Sequence, residues 1–180
     1  MADWTVGLSI THGKYSADGQ ENENGEINTI NDQAKSITYP AIFLERALDN
    51  GLSIGLDIIP GRVSSETASR TDFNDMKGDG GNDGGATSIT NTAKVDLSQH
   101  VTLYAIVPIM DTGAFIRAGV MRVDIQTKES LGTGSTYPDT DTIGGQISLG
   151  YQHDTGVGFV RAEIGHSKYD KISVTSSKNH

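Results

Sequence analysis

No cysteine occurs among the 180 residues, so no disulfide braces the fold, which suits a reducing compartment or a periplasmic folding route without disulfides. No run of 18 apolar residues exists either, which rules out a membrane-spanning helix but not a transmembrane barrel, whose strands are only about half apolar. The opening Met1-Ala2-Asp3-Trp4 carries no basic segment followed by an apolar one, so this chain shows no signal peptide; Ala2-Asp3-Trp4 reads as a mature end behind a start codon. Bases are scarce: 14 Lys and Arg stand against 23 Asp and Glu, and a net charge of −9 argues against a nucleic-acid partner. The three- and four-residue apolar repeat of helices is also missing. Only Ala34 to Asp49 approaches it, and Tyr39-Pro40 opposes a helix there. These absences leave an all-β chain, which its length makes a single domain over residues 1–180.

What is present is alternation. From Ala93 to Ile109 the odd positions include Val95, Leu97, Val101, Leu103 and Val107, and the even ones begin Lys94, Asp96, Ser98, His100 and Thr102. The phase runs through the turn-like Ser98-Gln99-His100, which predicts one long strand with one apolar face. At about 3.3 Å per residue it spans roughly 56 Å, so its apolar partner must be large: a second sheet, a ligand-filled interior or a bilayer.

Asp49-Asn50-Gly51, Asp111-Thr112-Gly113 and Asp154-Thr155-Gly156 each separate two alternating segments and read as tight hairpin turns. Between them lie long acidic stretches at about 16–33, 64–88 and 129–142, expected to be loops. The strands read between these marks are Trp4 to Tyr15, Ala34 to Leu48, Gly51 to Val63, Thr87 to Ile109, Ala114 to Lys128, Ile143 to His153 and Val157 to Thr175. Run up and down, they put every tight turn at one end and every long loop at the other. Trp4, Val6, Leu8 and Ile10 share a face opposite Thr5, Gly7, Ser9 and Thr11, and Ile143, Ile147, Leu149 and Tyr151 oppose Gly144, Gln146, Ser148 and Gly150. These polar faces are built of small residues rather than of the charge that water-facing sheets carry. In Ala114 to Lys128 the apolar phase changes near Gly119 to Val123, which predicts a bulge or a face tolerant of both residue kinds.

On segments such as Gly51 to Ile58, Gly113 to Val120 and Ile143 to Tyr151, and on the turn layout, the chain resembles small bacterial outer-membrane β-barrel proteins of the outer membrane protein A and opacity type. That resemblance implies an antiparallel up-and-down transmembrane barrel, of which seven strands are readable of an expected eight, located in the bacterial outer membrane. It departs in two respects: an even strand number and a terminal aromatic are the rule, whereas Ser176 to His180 follow a seventh strand, and 6% aromatic residues is low for two interfacial girdles.

Within a barrel, Glu45, Asp57, Asp96, Arg117, Arg161 and Glu163 are expected to form a lumenal charge network, because charge on a lipid face costs about 2 to 4 kcal/mol near the midplane. Trp4, Phe115 and Tyr151 are the expected membrane-interface aromatics. An interior of paired charges conducts poorly, so the expected role is structural or surface interaction with a narrow or plugged lumen, without catalysis and without a cofactor or bound metal. Outer-membrane lipid and lipopolysaccharide are the implied partners, with divalent cations at the acidic loops and an oligomer compatible. The Asp72 to Gly85 stretch lacks EF-hand spacing and reads as a solvated loop. His12, His100, His153 and His166 lack a Gly-x-Ser-x-Gly elbow or metal-ligand spacing around them and read as structural. Two other classes compete: a virion or assembly protein whose long strands are completed between chains, and a soluble barrel carrying an apolar ligand.

Overall fold

The computed structural model describes residues 4–23, 26–74, 87–131 and 136–175. Its strands are β1 (Trp4–Glu23), β2 (Glu26–Ala47), β3 (Ser53–Ser64), β4 (Ala68–Asn74), β5 (Thr87–Pro108), β6 (Ala114–Ser130), β7 (Thr140–Thr155) and β8 (Gly158–Tyr169). All pairings are antiparallel, and sheet neighbours follow chain order as β1-β2-β3-β5-β6-β7-β8, with the short β4 pairing β5 beyond the end of β3. The sheet curls into a half-barrel with up-and-down topology. No helix among the described residues is long and apolar enough to cross a membrane.

The three Asp-x-Gly tripeptides are tight connections, as the sequence predicts. Gly51 and Gly113 take left-handed backbone at φ +83° and +81°, the conformation that glycine adopts without a Cβ clash. The acidic stretches differ from expectation. β1 runs on to Glu23, β2 begins at Glu26, β4 and β5 take up most of the ends of the second stretch, and β6 and β7 extend to Ser130 and from Thr140. A polar segment with poor strand propensity still continues a ladder that its neighbour has begun, because pairing rather than propensity sets strand length there. Most of the Asp72 to Gly85 stretch lies outside the described residues. Pro40 sits inside β2 opposite Ile10, which is tolerated because β2 pairs with β3 only from Ile42 onward, leaving that edge of β2 free at Pro40.

Cross-strand partners share a face, so the register divides the sheet. The convex face carries Val6, Leu8, Ile10, Ile42, Leu44, Ile54, Leu103, Val107, Ile116, Val120, Ile147 and Leu149, all exposed. The concave face buries Ala41, Glu45, Thr102, Tyr104, Ile106, Phe115 and Met121. Three interior rings lie across cross-strand glycines: Phe43 over Gly7, Tyr104 over Gly55 and Phe115 over Gly150, each so close that a Cβ would collide with the ring. The small residues of the polar face are therefore seats for aromatic rings.

The long alternation of β5 is one strand, but its phase is broken where the sequence shows none. Ser98 pairs with Asp124 and Val101 with Arg122, so β5 takes three steps where β6 takes two. Gln99 stands at φ +49°, and Gly61 at φ +95° kinks the adjoining part of β3. Beyond this slip Val95 and Leu97 pair with Thr127 and Ile125 on the concave face, whereas Leu103 and Val107 pair with Val120 and Ile116 on the convex one. β6 carries no bulge on its β7 side: its register with β7 is continuous from Ala114 to Ile125. What changes along β6 is the environment, since Ile116, Ala118 and Val120 are followed on the same face by Arg122 and Asp124, while Met121, Val123 and Ile125 are buried on the other. The bulge of β5 keeps its apolar residues in step with that inversion, which is why its alternation looks unbroken.

A left-handed non-glycine residue costs about 1–2 kcal/mol. Gln99→Gly is accordingly expected to match the parent chain or exceed it by up to about that amount, and Gln99→Val to fall below it, because a β-branched side chain is more strained at positive φ than glutamine already is, read from urea unfolding midpoints at constant m-value.

Candidate functional site: a charge layer inside the curled sheet

Five of the six expected network residues meet on the concave face. Arg161 on β8 reaches Glu45 on β2 with two parallel hydrogen bonds, Nη1 to Oε2 at 2.9 Å and Nη2 to Oε1 at 3.1 Å, and Nη2 also donates to Gln152 Oε1 at 2.8 Å. Tyr104 donates its hydroxyl to Glu45 Oε2 at 3.2 Å. Arg117 on β6 donates to Asp57 Oδ2 on β3 at 2.9 Å and lies 3.4 Å from Glu163 Oε2 on β8, which also accepts from Ser148 Oγ at 2.8 Å. Its guanidinium stacks on the Tyr104 ring, 3.7 Å from the centroid. Three carboxylates thus face two guanidinium groups. Planar bidentate pairing fixes both direction and distance, so the network holds strands that are not neighbours in a set geometry.

Aromatic groups bound this layer on both sides. Toward the tight turns, Phe43 stacks on Phe159 with centroids 6.1 Å apart, and Phe115 closes the same space with Tyr104 and Ile106. Arg161 lies over the rings of Phe159 and Phe115 at 4.7 and 5.0 Å. Toward the other end, His100 Nε2 meets the Tyr169 hydroxyl at 2.8 Å, and the Tyr15 and Tyr39 hydroxyls meet at 2.6 Å. Asp57 Oδ1, Arg117 Nε and Arg161 Nε are buried without a protein partner. Buried polar atoms of this kind are ordinarily satisfied by ordered water.

Two expectations are corrected. Asp96 is not in the network: it pairs with Ser64 and Gln126, across the β5 slip, and is held by the Ser64 hydroxyl at 2.7 Å, Lys94 at 3.4 Å and Arg62 at 3.9 Å. The Ser64 hydrogen bond, followed by the two cations, keeps its carboxyl below the usual value against an opposing burial effect. Phe115 is not an outward aromatic: at 3% exposure it is among the most buried residues, because it shares the parity of Arg117 and rests on Gly150. Trp4 and Tyr151 do point outward at the tight-turn end, 63% and 54% exposed, with Arg46 over the Trp4 ring at 5.5 Å. Sequence reading missed Tyr104, Phe43, Gln152 and Ser148 as partners. For Phe43 a signal existed, since it shares parity with Glu45 as Phe159 does with Arg161.

The histidines are dispersed. His12 Nδ1 lies 2.8 Å from Thr38 Oγ1 on the convex face, His100 is inside, and His153 and His166 pair in register with Val160 and Ile147. Among the described residues no three His, Asp or Glu side chains converge as a metal site would require.

Removing one partner of a buried ion pair leaves the other uncompensated and costs about 3–5 kcal/mol, whereas exposed pairs are worth at most about 1 kcal/mol. Glu45→Ala is therefore expected to lower stability several-fold more than Arg122→Ala, and the double Glu45→Met, Arg161→Met chain to recover most of the loss, all measured by urea unfolding. Asp96 adds a pH dependence. Its folded pKa is depressed, so its contribution is present above the unfolded value of about 3.9 and vanishes as pH falls through the folded one. Asp96→Asn is expected to cost stability at neutral pH and to converge with the parent chain in acid, as denaturant midpoints against pH would record.

No protein-family model matches the chain, and no curated protein or solved structure is significantly similar to it, so its geometry alone carries the functional reading.

Proposed function

We propose that the chain is an outer-membrane β-barrel protein with a structural or surface-contact role, a plugged lumen and no catalytic activity. The observation that carries this is the inversion of the sheet. Near the tight turns the convex face is apolar and the interior charged; beyond the level of Gln99 the convex face carries Arg62, Lys94, Asp96, Arg122 and Asp124 while Val95, Leu97, Val123 and Ile125 turn inward. The change of sides follows from a change of solvent, hydrocarbon around the lower storey and water around the upper.

Magnitude supports the same reading. Monomeric soluble proteins rarely expose apolar patches beyond a few hundred Å², and each large aliphatic side chain removed from water is worth about 1.5–3 kcal/mol. Here Leu8, Ile10 and Ile164 are each about four-fifths exposed, and the belt continues across β1, β2, β3, β5, β6, β7 and β8. Along β7 it runs from Tyr151 to Ile143, the length of a membrane-crossing strand, about 9–11 residues. Trp4 and Tyr151 sit at one rim, where interfacial aromatics belong. The acidic ends of β1, β2, β6 and β7 lie at the opposite end, which in an outer membrane faces the medium, lipopolysaccharide and its divalent cations. An apolar-ligand carrier is opposed by this orientation, since the aliphatic residues of the lower storey point outward.

β1 and β8 run in the same direction and are not paired with each other. One descending strand between them would be antiparallel to both and would bring the ring to eight, the number that the resemblance to small outer-membrane barrels implies. The unpaired edges are also what an assembly protein completed between chains would present, and that reading predicts a detergent-free, concentration-dependent oligomer.

Trp4 is the only tryptophan and reports the environment directly. The refolded chain is expected to need detergent or lipid, to migrate differently in gels before and after heating, and to have its Trp4 emission quenched by lipids brominated near the headgroup; planar bilayers should record no steady conductance. A chain that stays monodisperse without detergent, with Trp4 emission indifferent to brominated lipid, would refute the proposal.

A further inference from the structure

Above the charge layer, rings from four strands turn inward and meet. Tyr15 of β1 and Tyr39 of β2 share a hydroxyl hydrogen bond of 2.6 Å with their rings 6.2 Å apart, and His100 of β5 stands edge-on to Tyr169 of β8 at 6.3 Å. The two pairs are neighbours. Burial, then Tyr39, then Tyr169 raises the Tyr15 pKa, so that hydroxyl stays neutral. Two of the rings lie against glycines, Tyr15 over Gly13 and Tyr169 over Gly144, where an added Cβ would press on the ring. A ring laid against the wall turns a face toward the centre. All four side chains point inward yet are only half-buried, so solvent reaches them.

The surroundings of this cluster are negative. The layer beneath sets Glu45, Asp57 and Glu163 against Arg117 and Arg161, which leaves one carboxylate in excess, and Asp57 Oδ1 is buried without a hydrogen bond from the protein. Asp57 lies one inward row below His100, since it pairs with Thr102 while Ile59 pairs with His100. Above the cluster, β1 and β2 continue through residues 16–23 and 26–33, which hold five acids and no base. An electron-rich ring face attracts a cation, most strongly where the cation is partly out of water. A bare metal ion would need converging oxygen or nitrogen ligands, and among the described residues no group of three His, Asp or Glu side chains supplies them.

We propose that this chamber binds a small organic cation of the quaternary ammonium class, with Tyr15, Tyr39 and Tyr169 as its walls and the excess carboxylate beneath it. The methyl groups of such a cation carry its charge to the ring faces. They bring no N–H that must be paired, which suits a site whose Tyr15 and Tyr39 hydroxyls already bond to each other and whose Tyr169 hydroxyl meets His100. The inference goes beyond the membrane reading and does not depend on it, because the cluster lies inside the curl and above the apolar belt, whatever surrounds that belt.

The test is isothermal titration calorimetry of the whole refolded chain, in whichever solvent keeps it monodisperse, with choline and with dimethylbutanol, the uncharged isostere in which carbon replaces the nitrogen. Choline is expected to bind about tenfold more tightly than dimethylbutanol, the factor that a partly desolvated cation over a ring supplies. Tyr39→Leu and Tyr169→Leu should each weaken choline about tenfold, whereas Tyr39→Phe, which keeps the ring, should stay within about threefold of the parent chain. The Phe variant loses the Tyr15 hydrogen bond just as the Leu variant does, so it separates loss of a ring face from loss of fold. The comparison of the two ligands on the parent chain stands whether or not the Leu variants fold. Equal affinity for both ligands, no choline binding, unchanged choline affinity in both folded Leu variants, or displacement of choline by an equal concentration of potassium overturns the site. Any of these in a chain that enters bilayers leaves the membrane reading standing, and choline binding by a chain that never enters them overturns that reading alone.

Discussion

The contact between Arg161 and Glu45 joins the last strand to the second, and most of the architecture is organised by the need to make it. In sheet order four strands separate β2 from β8, yet their side chains meet at hydrogen-bond distance. Two buried charges cannot be left apart in a medium of low dielectric, and a flat sheet would leave them so. Curling satisfies them, and the Arg117 bridge to Asp57 and Glu163 repeats the solution between β3, β6 and β8. The glycines under Phe43, Tyr104 and Phe115 belong to the same arrangement, because the rings must lie flat on the wall if the guanidinium groups are to reach across the centre.

The second organising constraint is that the apolar side of the wall changes between the two ends of β5 and β6. A one-residue slip moves every following side chain to the other face, which is ruinous in a sheet with one uniform buried side. In β5 the slip at Gln99 is harmless because the apolar side itself changes at that height. β6 reaches the same outcome without a slip, by changing its residue pattern instead: Val120 and Arg122 share a face, as do Gly119 and Met121. Two adjacent strands thus solve one boundary by different means.

Much of the wall was legible in the sequence. The alternation of β1, β3 and β7 and the three Asp-x-Gly turns predict which elements are strands and which ends are tight, since both signals are local and involve only neighbouring residues. Parity alone also assembles Glu45, Asp57, Arg117, Arg161 and Glu163 on one side. Parity fails where the backbone departs from two-residue periodicity, and Gln99 gives no warning because its left-handed φ belongs to a residue type that seldom adopts it. That one residue displaced Asp96 from the network. Phe115 differs for another reason: an aromatic near the tight-turn end is expected at an interfacial rim, whereas its parity with Arg117 and the glycine opposite place it inside. The paired ends of β1 and β2, residues 16–23 and 26–33, were illegible because their sequence is that of a loop and only the ladder makes them strands.

Apart from β3 and β5, which pair across the intervening β4, each strand of the wall pairs with the next along the chain, so most of the wall can be assembled by successive hairpins with little loop entropy to overcome. The Arg161 to Glu45 bridge is among the exceptions, joining residues 116 positions apart, as far as the stacked Phe43 and Phe159. It can form only after the intervening strands are in register, and a wrong register anywhere along the wall would leave both charges stranded. The bridge therefore acts as a checkpoint on assembly: a late, all-or-none latch that rewards the correctly zipped wall and penalises any slipped one.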